Sequence, residues 1–167
     1  MDQQTIETSD RVEDCLRTVP GLTDRLARGI HVLDVGCRAG ISTIAMAAAF
    51  PRSRFLAIEA DVVSVQHARR LAAERRLRNI HWLAAPVHQL APRPAHDLIC
   101  AFDGVEGMIH PRAALQAIHA ALSDDGVYLW GAPGERGVRE LAAEAGFLRV
   151  DKLPIKGAFN AFFALRK

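Results

Sequence analysis

The residues with the chemistry to bind or react fall in two places. The first is Asp34-Val35-Gly36-Cys37-Arg38-Ala39-Gly40, between a short apolar run and an alanine-rich segment. A glycine at such a junction permits a tight turn and brings a ligand against bare backbone, while the helix behind it favours negative charge. Glu59 ends the next apolar run, about 20 residues on, the spacing at which α/β folds grip ribose hydroxyls with a carboxylate. Loop and carboxylate together point to a nucleoside-containing ligand. The second place holds Asp103, Glu106 and His110, side chains able to take a proton from a nucleophile. A plainer reading makes Asp103-Gly104 a turn and His110-Pro111 a helix start.

The loop does not suit a dinucleotide. That fingerprint needs glycine at 36, 38 and 41, and the chain has Gly36, Arg38 and Ile41. Arginine stands where pyrophosphate would touch backbone, and isoleucine where helix and strand must pack closely. The next glycine is Gly40, and such a loop suits a ligand without pyrophosphate. Cys37 has no base beside it in sequence and is expected to pack, not to attack. No two histidines are spaced i,i+4, so no metal site is expected. Arg69, Arg70, Arg75, Arg76 and Arg78 read as a solvated face. Trp130 is either core or a wall of the substrate site.

These groups need a scaffold, and the rest of the chain supplies one. Its 167 residues are 50% apolar with a net charge of +2, which suits one folded domain and not a dedicated nucleic-acid binder. Three cysteines without a CxxC pair suggest reduced thiols and the cytoplasm. No apolar run reaches membrane-span length and the polar start lacks secretory character, so no membrane partner is expected. Strand-like runs at 30–35, 54–58, 79–83, 97–102 and 127–130 alternate with helical segments at 41–50, 62–76, 111–122 and 136–145. The tail, 147–153 and 158–165, reads as a hairpin. The spacing predicts a single domain over 1–167, a helical arm at 1–29 followed by a Rossmann-like α/β fold at 30–167. Its doubly wound sheet is mostly parallel, with a C-terminal antiparallel hairpin and the ligand at the carboxyl ends of the strands.

Five segments in order carry a resemblance: VLDVGCRAG at 32–40, Glu59, DLICAFDGVEG at 97–107, LSDDGVYLW at 122–130 and AGF at 145–147. The chain resembles the class I S-adenosylmethionine-dependent methyltransferases, and among them bacterial enzymes whose catalytic domain follows a winged-helix dimerisation domain. The resemblance implies S-adenosylmethionine as cofactor. Asp34, Gly36 and Gly40 would surround its methionine part, with Cys37 and Arg38 in the same loop. Glu59 would hold the ribose hydroxyls and Ala60 would lie against adenine. Ala101 and Phe102 would sit beneath the sulfonium.

The chain departs from the pattern at Arg38, usually glycine, and at Ala85-Pro86, where an acidic residue usually accepts from the adenine amine. Only Gly131 to Glu135 stand where relatives carry a long insertion, and the winged-helix domain is missing. The expected function is methyl transfer to a small molecule or secondary metabolite, with Asp103, Glu106 or His110 as the base. The alternative is a non-catalytic fold relative that binds the cofactor or serves as a partner subunit. In the first case a homodimer mate or the N-terminal arm would complete the partly uncovered site; in the second the chain itself would be the partner subunit.

Overall fold

The computed structural model describes residues 12–102, 105–132, 135, 137–155 and 161–167, with only the backbone of Glu106. Helices α1 (residues 12–18) and α2 (Leu22–Arg28) precede the first strand, β1 (His31–Val35). Then come α3 (Ile41–Ala49), β2 (Arg54–Glu59), α4 (Val62–Glu74) and β3 (Ile80–Ala84). A three-residue turn of 3₁₀ helix, Val87–Gln89, leads to β4 (His96–Ala101), and a second, Val105–Gly107, leads to α5 (Pro111–Ala121). The chain finishes with β5 (Leu122–Ala132), α6 (Val138–Ala145), β6 (Arg149–Lys152) and β7 (Ala161–Arg166).

The strands form one sheet in the order β3-β2-β1-β4-β5-β7-β6. The first five are parallel, and β7 is antiparallel to both β5 and β6. Crossovers run outward on both sides of β1, so strand order reverses between β1 and β4. A crevice opens there at the carboxyl ends, where ligands of such sheets bind.

The central strands are buried on both faces, with alternate side chains entering different cores. Leu33, Ile99, Ala101, Tyr128 and Trp130 meet α5 and α6. Val32, Leu98, Cys100, Val127 and Leu129 meet Val12, Cys15, Leu16, Leu22 and Leu26 of α1 and α2. The described part of the N-terminal arm is therefore one wall of the core. Residues 1–11 of the expected arm lie outside the described residues. Trp130 is 1% exposed and its ring stacks on Tyr128 at 6.1 Å, so its role is packing.

Local chemistry sets the helix starts. The Asp61 carboxylate accepts from the Val63 and Ser64 amides and opens α4, a cap worth about 1 kcal/mol. Pro111 fills the first turn of α5, where its missing N–H costs nothing. One boundary differs from the expectation. The strand begins at Leu122, directly after α5, so residues 123–126, between the expected helix and the expected strand, fall within it. Leu122 is fully buried and pairs with His96, which draws the chain into the sheet at once, and the register shifts between His96 and Leu98.

Candidate functional site

Beyond Val35 the chain turns through three left-handed residues, Gly36 (φ 66°), Arg38 (φ 48°) and Gly40 (φ 74°). The Gly36 and Cys37 amides both donate to the Ile58 carbonyl, at 2.9 and 3.3 Å, lashing the loop to β2. Gly40 is irreplaceable for a packing reason: a Cβ there would meet the Trp82 ring at 2.5 Å and the Ala68 methyl at 2.9 Å. It brings the start of α3 against α4. Arg38 holds a conformation that costs a side chain about 1–2 kcal/mol, and its amide is engaged in return. That amide donates to Glu59 Oε2 at 3.0 Å.

Glu59 is thus gripped from two sides, since its Oε1 accepts from the Asp61 amide at 3.1 Å. Each carboxylate oxygen spends one lone pair on backbone and keeps another for a ligand. Asp34 plays a different part. It is 1% exposed, and its Oδ2 accepts from Ser42 Oγ at 2.8 Å and Thr43 Oγ1 at 2.6 Å. It pins the end of β1 to the first turn of α3, where a helix start favours an anion. Cys37 packs among Ile44, Ala57, Val65 and Trp82. Burial pushes its thiol well above the usual range, and the charges of Asp34 and Glu59 push the same way.

A cavity of about 450 Å³ opens at these strand ends. Its lining brings together Gly36, Arg38, Glu59, Ala60, Ala85, Pro86 and His110 from the sequence-derived set. Asp34, Cys37 and Gly40 stand behind that wall as supports. Ala101 is buried beside Trp130 in the sheet, and half-buried Phe102 packs on the other core. Neither lines the cavity. Asp103 and the side chain of Glu106 lie outside the described residues.

Seven lining residues were not anticipated: Ile58 on β2, Val87 and His88 on the turn after β3, and Gly107, Met108, Ile109 and Ala114 around the start of α5. The Met108 methyl lies 3.3 Å from where a Cβ on Gly36 would stand, so Met108 reaches over the loop. Ile109 is 91% exposed at the lip. His88 and His110 meet edge to face, with ring centroids 5.4 Å apart. No local pattern marks His88, because only the tertiary fold carries the turn after β3 to the start of α5.

Arg38, Glu59, His88 and His110 are the charged or titratable side chains among the described lining residues, and the rest is apolar or small. That mixture suits an organic ligand with a sugar-like polar centre and a flat, weakly polar end. Among the described residues no three histidine, cysteine or acidic side chains are grouped to hold a metal ion.

A sequence profile of the methyltransferase domain family matches residues 33–128. A trans-aconitate 2-methyltransferase of Paracidovorax citrulli is 30% identical over 128 residues, 72% of this chain and 47% of that protein. The chain therefore spans about half the length of the curated relative it matches. Among solved structures, an S-adenosylmethionine-dependent methyltransferase from Aquifex aeolicus superposes with a TM-score of 0.74 at 17% identity, over 94% of this chain and 97% of that one. The [4+2]-cyclase SpnF superposes with a TM-score of 0.67 at 23% identity, over 79% and 58%. Likeness at that identity speaks to fold, and the cyclase shows that this fold hosts more than one reaction.

Proposed function

Because the chain belongs to the class I S-adenosylmethionine-dependent methyltransferases, we propose that it moves a methyl group from S-adenosylmethionine to a small-molecule acceptor. In this reading the cavity beside Glu59 holds the adenosyl part of the cofactor. The observation that carries it is the Glu59 carboxylate, fixed by the Arg38 and Asp61 amides with lone pairs to spare at the cavity wall. Two ribose hydroxyls would donate to those lone pairs.

The bound cofactor supplies a methyl carbon made electrophilic by the positive sulfonium. The chain's own work is alignment, which can contribute about 7–11 kcal/mol to a displacement of this kind. Asp34 and Gly40 hold the loop, and Gly36 presents bare backbone to the methionine arm, which would displace the Met108 methyl packed against it. The Arg38 guanidinium would meet that arm's carboxylate, and Ala60 would lie on the base. Ala101 and Phe102 would back the wall near the sulfonium from within the packed sheet, without lining the cavity. The acceptor would enter beside Met108 and Ile109, with Asp103, Glu106 or His110 taking its proton. The nearly fully exposed Ile109 supports a cover contributed by a second copy of the chain. Three free, buried cysteines support a reducing, cytoplasmic setting. No helix among the described residues is long and apolar enough to cross a membrane.

Calorimetry with S-adenosylmethionine and S-adenosylhomocysteine tests the reading. Both should bind, and Glu59→Ala should weaken each at least about tenfold, the loss expected for a charge-assisted hydrogen bond. Absence of heat at millimolar ligand, or an unchanged affinity in the variant, overturns it. Small carboxylic acids are the first acceptors to try, after the trans-aconitate relative.

A further inference from the structure

We infer that the end of the sheet opposite the cavity, where the strands begin, is a docking surface for an acidic protein segment carrying an apolar anchor. The inference stands apart from the adenosyl reading. Three connections meet there: α2 to β1 at residues 28–30, α3 to β2 at 50–53 and α4 to β3 at 75–79. Hydrogen bonds knit them into one platform. The Arg54 amide donates to the Ile30 carbonyl at 2.9 Å, and the Phe55 amide to the Asn79 carbonyl at 2.8 Å. The Asn79 side-chain amide donates to the Ala47, Phe50 and Ser53 carbonyls at 3.0, 3.3 and 3.1 Å.

Six exposed arginines stand on this platform: Arg28, Arg52, Arg54, Arg75, Arg76 and Arg78. Among the described residues no carboxylate pairs with any of them. Elsewhere exposed arginines do find one, Arg17 at Glu13, Arg112 at Glu144 and Arg149 at Asp151. Helix ends account for part of the cluster, since the carboxyl termini of α2 and α4 favour Arg28 and Arg75. Arg52, Arg54 and Arg78 lie beyond those last turns. Arg76 is the sharpest case. It holds the left-handed position after α4, with φ 57°, and the Leu77 amide behind it donates to the Ala72 carbonyl at 3.0 Å. Glycine fits that position without strain, yet the chain places a guanidinium there.

Beside the platform an apolar cavity of about 400 Å³ lies between α1, α2 and α3, with Val12, Leu16, Met46, Ala49 and Phe50 in its walls. Phe50 joins the two features, because its carbonyl accepts from the Ser53 amide at 3.1 Å as well as from Asn79. Guanidiniums of this kind grip carboxylates or phosphates, and the surroundings favour carboxylates. Protein interfaces set arginine around an apolar centre and avoid lysine; Lys152, Lys156 and Lys167, the chain's lysines, all fall outside these connections. Single-stranded nucleic acid needs aromatic rings on which to stack, and the exposed residues of the three connections include none.

Fluorescence anisotropy on the full chain tests this. The probe is a labelled glutamate-rich peptide with leucines at i, i+3, i+4 and i+7, one apolar stripe on an acidic helix. Its leucine-free counterpart, with glutamine at those positions, and a DNA duplex of similar charge are the controls. The leucine peptide should bind best. The triple variant Arg52→Gln/Arg54→Gln/Arg78→Gln should weaken it about tenfold, roughly twofold for each exposed charge pair. Ala49→Glu, which sets a carboxylate at the apolar cavity, should weaken it at least about tenfold. Arg76→Gly separates binding from folding: it relieves the left-handed strain, so the thermal midpoint should hold or rise while the peptide binds more weakly. Absence of binding at millimolar peptide overturns the inference. So does an affinity unchanged in the triple variant or in Ala49→Glu, or tighter binding of the duplex, which would make the face a nucleic-acid surface. None of these measurements uses the cofactor, so their failure leaves the adenosyl reading standing.

Discussion

The two halves of the cavity are built differently. On the β1–β2 side the loop and its two carboxylates are tied down: the Gly36 and Cys37 amides to Ile58, Glu59 to two further amides, Asp34 to two hydroxyls. On the side of β4 and α5 the lining residues Gly107, Ile109 and His110 are exposed, Met108 is half-buried, and the contacts are ring edges and a methyl. The first half is organised before a ligand arrives, so its ordering cost falls on folding and not on binding. The second half can shift to suit what it meets. One fixed grip beside one adaptable wall is what an enzyme needs if its cofactor is constant and its acceptors vary.

The largest test of that contrast is Gly40→Val. The valine Cβ would stand 2.5 Å from the Trp82 ring in a left-handed backbone, so we expect a loss of about 3 kcal/mol in urea unfolding. A loss below 1 kcal/mol, roughly what an unstrained surface change costs, would show that the fixed half yields as readily as the other. Asp34→Ala comes next. It strands the Ser42 and Thr43 hydroxyls in the core and should cost about 2 kcal/mol, with cofactor affinity falling because the loop loosens. A variant of wild-type stability would mean that the carboxylate does not pin the loop. Smaller still is the effect at Arg38. Glycine relieves the left-handed strain but adds freedom to the unfolded chain, leaving a net gain of at most about 1 kcal/mol. Gly36→Ala, at φ 66° in the same loop, should move stability the other way. If Arg38→Gly destabilises instead, the arginine side chain contributes more than its backbone costs.

How much of this was legible beforehand follows the same divide. The fixed half is local: β1, its loop and α3 are contiguous, and Glu59 ends the next strand, so spacing alone identifies them. Spacing could not say that Gly40 serves the loop's packing, because that depends on Trp82 and Ala68, which lie farther along the chain, nor that Asp34 turns to the Ser42 and Thr43 hydroxyls. On the adaptable half, His110 was visible as a titratable group beside a helix start. His88 and Met108 became site residues only through contacts across the fold. Trp130 was left open because a tryptophan at a strand's carboxyl end fits core and ligand wall alike, and only its stacking on Tyr128 decides. The strand order likewise required the β7 pairing, since no sequence pattern says that β7 slots between β5 and β6.

Acid separates the halves further, by the smallest of these effects. His96 on β4 has a pKa below its usual value, chiefly because burial disfavours the charged ring, with nearby His31 acting the same way. His119 on α5 is lowered too, by burial first and by Lys167 second; its ring sits edge-on to Phe147 at 5.0 Å. Above about pH 6.5, the ordinary histidine value, folded and unfolded chains both leave these rings neutral and stability does not change. Below it the unfolded chain takes up protons that the folded chain refuses, so stability falls as pH falls. Both rings belong to the β4–α5 half. Amide exchange followed from about pH 7 down to about pH 5, with rates corrected for their intrinsic pH dependence, should therefore show protection declining in β4 and α5 before it declines in β1 and β2. Replacing His96 and His119 with glutamine should remove the difference. Equal decline across the sheet in the unmodified protein would mean that the two halves open as one unit, and that the adaptable wall owes its freedom to exposed side chains alone.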